Sequence, residues 1–197
     1  VNGAGTDWHS LDLDAVATSK ADLVVVPRAA SAHLVEHVGR TTGKPVLAMI
    51  ESAAGVLAAP DIAKASAGLI AGTNDLAADL GAAGREALAT AMQWIVLAAR
   101  AAGVPAFDGV YNAFTDSAGL EAEARAGRAL GFTGKSLIHP DQIAPCHAAL
   151  APSAAEIAEA ERLVAAYDGG AERFDDRMIE RMHVEAARRL LERAGIR

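Results

Sequence analysis

Two carboxylates stand where short apolar runs end, and residues of this type in this pattern are what a divalent-cation site needs. Val46-Leu47-Ala48-Met49-Ile50 stops at Glu51, and Gly68-Leu69-Ile70-Ala71 leads through Gly72-Thr73-Asn74 to Asp75. Apolar runs of this length fit strands buried on both faces of a parallel sheet. α/β barrels and open α/β sheets both bind their ligands at the C-terminal ends of the strands. Neighbouring strands would therefore aim Glu51 and Asp75 into one mouth. Two anions there repel each other, and a divalent cation is their natural third partner. Two protein oxygens, with positions left for water and substrate, suit Mg²⁺ better than Ca²⁺. The plainer alternative is a pair of solvated loop carboxylates or helix N-caps.

The elements that would carry these residues alternate along the chain. Strands are expected at Leu23–Val26, at the two runs ending in Glu51 and Asp75, at Pro105–Val110 and at Gly134–Ile138. Val1-Asn2 reads as the tail of another. Helices are expected over Asp12–Ser19, Ala32–Thr42, Val56–Ser66, Arg85–Ala102 and Asp116–Leu130. Two more follow, from the Ser153/Glu156 capping box to Tyr167 and over Met178–Ala194. Pro60 is expected to kink or restart its helix. Strand-helix alternation means a parallel sheet with right-handed crossovers. An eight-fold barrel needs roughly 250 residues, and this chain has 197. Periodicity alone leaves an open sheet and an incomplete barrel equally open.

Composition narrows the partners. A formal net charge of −7 argues against nucleic acid and anionic membranes, both of which want a basic surface. No apolar run approaches a membrane span. The single cysteine, Cys146, cannot form an internal disulfide, which fits a reducing cytoplasm as the expected location. Gly-x-Gly-x-x-Gly after a strand and the P-loop are both absent.

One stretch carries a family likeness. Gly131-Phe132-Thr133-Gly134-Lys135-Ser136-Leu137-Ile138-His139-Pro140-Asp141-Gln142-Ile143, with Pro152-Ser153-Ala154-Ala155-Glu156-Ile157 and Ala160, resembles the citrate lyase β-subunit-like group of the HpcH/HpaI aldolase superfamily. Val26-Pro27-Arg28 resembles that group's strand-end Pro-Lys, with arginine for lysine. Ile50-Glu51-Ser52-Ala53-Ala54-Gly55 resembles its Ile-Glu-Thr-x-x-Gly. Gly72–Leu76 with Asp79-Leu80-Gly81 resembles its Gly-x-x-Asp segment, and Asp108-Gly109-Val110-Tyr111 its seventh strand.

The resemblance implies a (β/α)₈ TIM barrel of the phosphoenolpyruvate/pyruvate type, assembled as a homotrimer or hexamer. Residues 1–168 would be barrel, and 169–197 a helical extension reaching a neighbouring subunit. Because Val1-Asn2-Gly3 aligns with the third strand, two strands and a substrate-binding arginine are expected upstream of Val1. It further implies that Glu51 and Asp75 bind Mg²⁺ and, through it, a 2-oxo acid. CoA enters as part of the substrate, a 3-hydroxyacyl-CoA thioester such as citryl-, malyl- or citramalyl-CoA. Arg28 would meet a substrate carboxylate or phosphate, although a surface ion pair accounts for it equally well. Glu180, in Met178-Ile179-Glu180, occupies the place of an aspartate that relatives use as general acid/base. Its plainer reading is a first-turn glutamate favoured by the helix dipole.

Other candidates weigh less. His139 could act on substrate but better suits a structural His-Pro turn, Asp79 could support the metal pair but better suits a helix surface, and Asp108 lies at the mouth without a role. Cys146 and His147 are adjacent and diverge, while His9, His33, His37 and His183 show no metal-ligand spacing. The expected function is Mg²⁺-dependent carbon–carbon cleavage of a CoA thioester. The alternatives are an HpaI-type aldolase of 4-hydroxy-2-oxo acids and a truncated, non-catalytic remnant.

Overall fold

Five of the short apolar runs pair side by side in the order in which they occur. In the computed structural model, which describes residues 1–196 and Glu172 through its backbone alone, they are β1 (Val24–Val26), β2 (Val46–Ile50), β3 (Gly68–Ala71), β4 (Ala106–Asp108) and β5 (Gly134–Lys135). All are parallel, in the order β1-β2-β3-β4-β5. A doubly wound sheet reverses its strand order at a switch point. This one never reverses, so right-handed crossovers put every connection on one face, as in a barrel wall. The five strands do not close on themselves. Val24, Val26, Val46, Ala48 and Ile50 are buried while Val25, Leu47 and Met49 between them are half-buried. One face is thus sealed by helices and the other partly open. Val1 lies outside any strand, though its amino group donates to the Val25 carbonyl at 3.2 Å, alongside β1.

The connecting helices are α1 (His9–Thr18), α2 (Ala32–Thr42), α3 (Ala53–Ala65), α4 (Thr73–Leu80), α5 (Ala89–Ala102), α6 (Ser117–Leu130) and α7 (Ile143–Leu150). Their starts are set by side-chain caps. Ser31 accepts from Leu34 N–H at 3.3 Å, Ser52 from Gly55 N–H at 3.1 Å and Asp116 from Gly119 N–H at 2.9 Å. The Ser52 cap starts α3 at Ala53 rather than at Val56, and the helix runs unbroken through Pro60, where a kink or restart was expected. Ile50, Ile62, Leu69, Leu76, Met92 and Ile95 are fully buried between sheet and helices, each contributing about 1.5–3 kcal/mol of transfer free energy. On the outer surface Leu57, Leu80 and Trp94, from three successive helices, line an apolar cleft of about 340 Å³.

At the β4–β5 side the fold buries charge. Asp108 and the Lys135 side chain are 1% and 0% exposed, with Nζ 3.2 Å from Asp108 Oδ2, 2.5 Å from Glu123 Oε1 and 2.7 Å from the Gly109 carbonyl. Arg85, from the 3₁₀ turn Arg85–Leu88 that precedes α5, adds a 2.7 Å bond to Asp108 and lies 3.5 Å from Glu123. Two acids and two bases balance, and α6 approaches closely because position 127 is glycine. A Cβ there would stand 2.5 Å from Asp108 Oδ2.

A second compact unit begins at Leu150. It holds α8 (Ala154–Ala166), the antiparallel hairpin β6 (Glu172–Phe174) and β7 (Arg177–Ile179), and α9 (Arg181–Arg193). The Ser153/Glu156 box caps α8, with bonds of 3.2 and 2.8 Å. Ala160, Leu163, Phe174, Ile179, Val184 and Ala187 form its core, and Arg162 lies over the Phe174 ring at 5.1 Å while pairing with Asp175. Within it α8 packs on α9. One expectation is corrected here. Met178 and Ile179 lie in a strand rather than a helix, since Asp175 takes a left-handed turn (φ +51°) that folds them back onto β6.

Truncating one member of a buried charge cluster leaves its partner uncompensated. Asp108→Ala is therefore expected to lose about 3–5 kcal/mol of unfolding free energy, as read from urea denaturation. A loss below 1 kcal/mol would mean that the cluster is not a structural clamp.

Candidate functional site

The C-terminal edge of the sheet collects the residues picked out by type and spacing. Glu51 follows β2 directly and is only 6% exposed. Its carboxylate is held from two sides. Arg28, just past β1, donates its backbone N–H to Glu51 Oε1 at 2.7 Å. On the other side is Gly72, where a Cβ would come within 2.6 Å of Glu51 Oε2 and 2.5 Å of its Cβ. The edge itself is knitted by Ala29 N–H on the Met49 carbonyl (3.0 Å) and Gly72 N–H on the Ile50 carbonyl (2.9 Å).

Asp75 comes from the next strand connection, but not from a strand end. After Gly72 the chain turns straight into α4, and Asp75 sits in its first turn, where the helix dipole favours a carboxylate. Its Oδ1 lies 3.9 Å from the Arg28 guanidinium. The structure thus brings Arg28, Glu51 and Asp75 together. Burial pushes the Glu51 carboxyl above its ordinary value; Arg28 N–H pulls it down, and Asp75 raises it again by charge and by the side-chain hydrogen bond that favours a protonated Glu51. Glu51 is therefore a carboxylate short of positive charge. Among the described residues no group of three or more His, Cys, Asp or Glu side chains gathers to hold a metal. This pair offers two hard carboxylate oxygens, the donor type that Mg²⁺ takes.

Around the pair, the other candidates take structural roles. Asp79, read as a helix-surface residue, accepts the Ala53 N–H at 2.7 Å and so ties α4 to the start of α3, two residues past Glu51. His139 Nδ1 accepts from Asp141 N–H at 3.2 Å and its ring stacks on Phe114 with centroids 5.5 Å apart, as a structural His-Pro turn requires. Gln142, buried beneath, joins the Ile138 N–H to the Tyr111 carbonyl. Cys146 is buried, and burial pushes its thiol up, away from nucleophilic use. Glu180 belongs to the second unit. It is half-buried at the N-cap of α9, and its backbone N–H donates to His183 Nδ1 at 3.0 Å. Sequence reasoning did not find Gly72 as a wall of the site, nor the Arg28 amide. Backbone groups carry no residue-type signal.

The HpcH/HpaI aldolase/citrate lyase profile matches residues 1–140. The chain belongs to that family. Among its relatives in the family is the (3S)-malyl-CoA thioesterase of Cereibacter sphaeroides, 41% identical over an alignment of 206 positions that covers 98% of this chain and 72% of that protein. The citrate lyase subunit beta of Escherichia coli is 35% identical, covering 100% of this chain and 73% of its own. A crystal structure of protein CitE from Mycobacterium tuberculosis, in complex with magnesium, acetoacetate and coenzyme A, superposes with a TM-score of 0.89 at 34% identity. It is matched over 99% of this chain and 76% of that one. The two structures thus share their fold over nearly the whole of this chain. No helix among the described residues is long and apolar enough to cross a membrane.

The raised carboxyl has a measurable sign. Between the ordinary 4.5 and its raised value, the folded chain binds more protons than the unfolded one, so stability falls as pH rises through that window. In EDTA, Glu51→Gln is expected to melt at a higher temperature than wild type at pH 7. The advantage should vanish below the ordinary glutamate value. An unchanged or lower melting temperature at pH 7 would contradict a strained Glu51.

Proposed function

We propose that this chain is a Mg²⁺-dependent carbon–carbon lyase acting on a 3-hydroxyacyl-CoA thioester, releasing a 2-oxo acid and an acyl-CoA. The observation that carries this reading is the convergence of Arg28, Glu51 and Asp75 at one strand edge within a fold of the citrate lyase family. The fit to Mg²⁺ rests on the donor set: two carboxylate oxygens, one of them buried and short of positive charge. When bound, the cation supplies Lewis-acid polarisation of a carbonyl oxygen. Glu51 and Asp75 would hold that cation. Arg28 presents a planar guanidinium that a substrate carboxylate can take in two bonds. Glu180, contributed by a neighbouring copy in a homotrimer or hexamer, is the candidate general acid/base. As the bond breaks the 3-hydroxyl gives up its proton and becomes the 2-oxo carbonyl, and Glu180 would deliver a proton to the acyl-CoA carbon left behind, withdrawing it in the reverse direction.

The 41% identity to a (3S)-malyl-CoA thioesterase favours malyl-CoA as the first substrate to try, and supports a second reading. In that reading water attacks the thioester carbonyl, and malate and free CoA leave. The products separate the two: glyoxylate with acetyl-CoA for the lyase, malate with a free thiol for the hydrolase. A 4-hydroxy-2-oxo acid cleaved in place of malyl-CoA would instead favour the aldolase alternative, and Mg²⁺ binding without turnover the non-catalytic one.

With malyl-CoA and Mg²⁺, glyoxylate release is expected from wild type and is expected to stop in EDTA. Glu51→Gln should lower kcat/KM about a hundredfold or more, the cost of losing a preorganised electrostatic contact. Glu180→Gln should lower kcat by about 10²-fold or more while leaving Mg²⁺ binding intact, as for a general acid/base. Full activity in Glu180→Gln would remove it from the chemistry.

A further inference from the structure

Arg28 links the two carboxylates with two different groups. Its backbone N–H donates to Glu51 Oε1 at 2.7 Å, while its guanidinium lies 3.9 Å from Asp75 Oδ1. Position 28 is left-handed, at φ +50°, a conformation that a residue with a Cβ keeps only where its surroundings impose it. That backbone turn is what points the amide at one carboxylate and leaves the side chain free to reach the other.

The two links differ in permanence. The amide bond belongs to the fold, because Glu51 is buried and the neighbouring Ala29 N–H is already committed to β2. The ion pair joins side chains 74% and 56% exposed at the outer limit of contact, and such pairs are weak. The guanidinium therefore sits at the carboxylate pair as a removable cation. Asp75 would be the shared partner of the guanidinium and of a divalent ion, whose double charge would favour it over Arg28. Once released, the planar fork is free for a carboxylate of the 2-oxo acid, whose geometry it matches.

We propose that Arg28 is a built-in counter-cation, displaced from Asp75 by the divalent ion and passed to the substrate carboxylate, so that this one side chain adds to the cooperativity with which metal and 2-oxo acid bind. This rests on the reading of Glu51 and Asp75 as the metal pair. Linkage makes the effect reciprocal: the factor by which the acid tightens the metal is the factor by which the metal tightens the acid.

Isothermal titration of the full chain with Mg²⁺, alone and with saturating oxaloacetate, reads both parts. Arg28→Gln is expected to bind Mg²⁺ alone about two- to fivefold more tightly than wild type, the worth of an exposed ion pair. The tightening by oxaloacetate expected in wild type should shrink, leaving the part that direct chelation of Mg²⁺ by the 2-oxo acid supplies. Arg28→Lys keeps the charge and should bind Mg²⁺ alone as wild type does. Arg28→Gly retains the amide and tolerates the left-handed turn, so it should behave as Arg28→Gln and separate lost charge from backbone strain. Equal or weaker Mg²⁺ binding in both Gln and Gly variants, or undiminished coupling, overturns the proposal while leaving the metal pair standing. Wild type that takes up no Mg²⁺, or takes it up equally in Glu51→Gln, removes the metal pair itself and this role with it.

Discussion

Keeping a glutamate ionisable while burying it at the end of a strand is the constraint to which this edge of the molecule answers. A carboxylate withdrawn from water needs a donor or a cation. Glu51 receives one firm donor, the amide of Arg28. That donor exists only because β1 lies beside β2 in the same direction and its chain leaves through a left-handed residue. Gly72 must lack a side chain for β3 to deliver its own connection against the same carboxylate. The parallel, sequential order of the strands is thus what makes a site out of residues far apart in the chain.

The two charge clusters of the first unit show opposite solutions. Around Asp108, two cations meet two anions within the protein, and Gly127 lets α6 close over them. Nothing more is called for there, and the cluster holds β4, β5 and α6 together. Around Glu51 the bookkeeping is deliberately incomplete: one weakly held guanidinium faces two carboxylates. An unbalanced charge next to solvent invites a ligand, whereas a balanced one in the interior resists change.

Much of this was legible in the sequence. The apolar runs at Val46–Ile50 and Gly68–Ala71 and the α2 span emerged at the bounds that pattern and caps suggested. The Ser153/Glu156 box likewise marked a real helix start. Other features were not legible, for physical reasons. α4 is short and begins at a glycine with no capping side chain, so Thr73–Leu80 gave no start signal and Asp75 was assigned to a strand end. The β6–β7 hairpin depends on a left-handed Asp175 and on cover from its own unit, neither of which periodicity reports. Arg28, Glu51 and Asp75 were each visible as residues of the right kind at the right punctuation. Their joint geometry was not, because it depends on an amide and on a missing Cβ.

The apolar cleft on the outer helices has a practical side. The chain has two tryptophans; Trp8 is 63% exposed and Trp94, in that cleft, 44%. Neither is a core residue, so the intrinsic emission of the folded chain comes from two partly exposed indoles. Trp94 borders Leu57 and Leu80, and its emission would shift blue when anything apolar covers them. Fluorescence here reports on the outside of the protein.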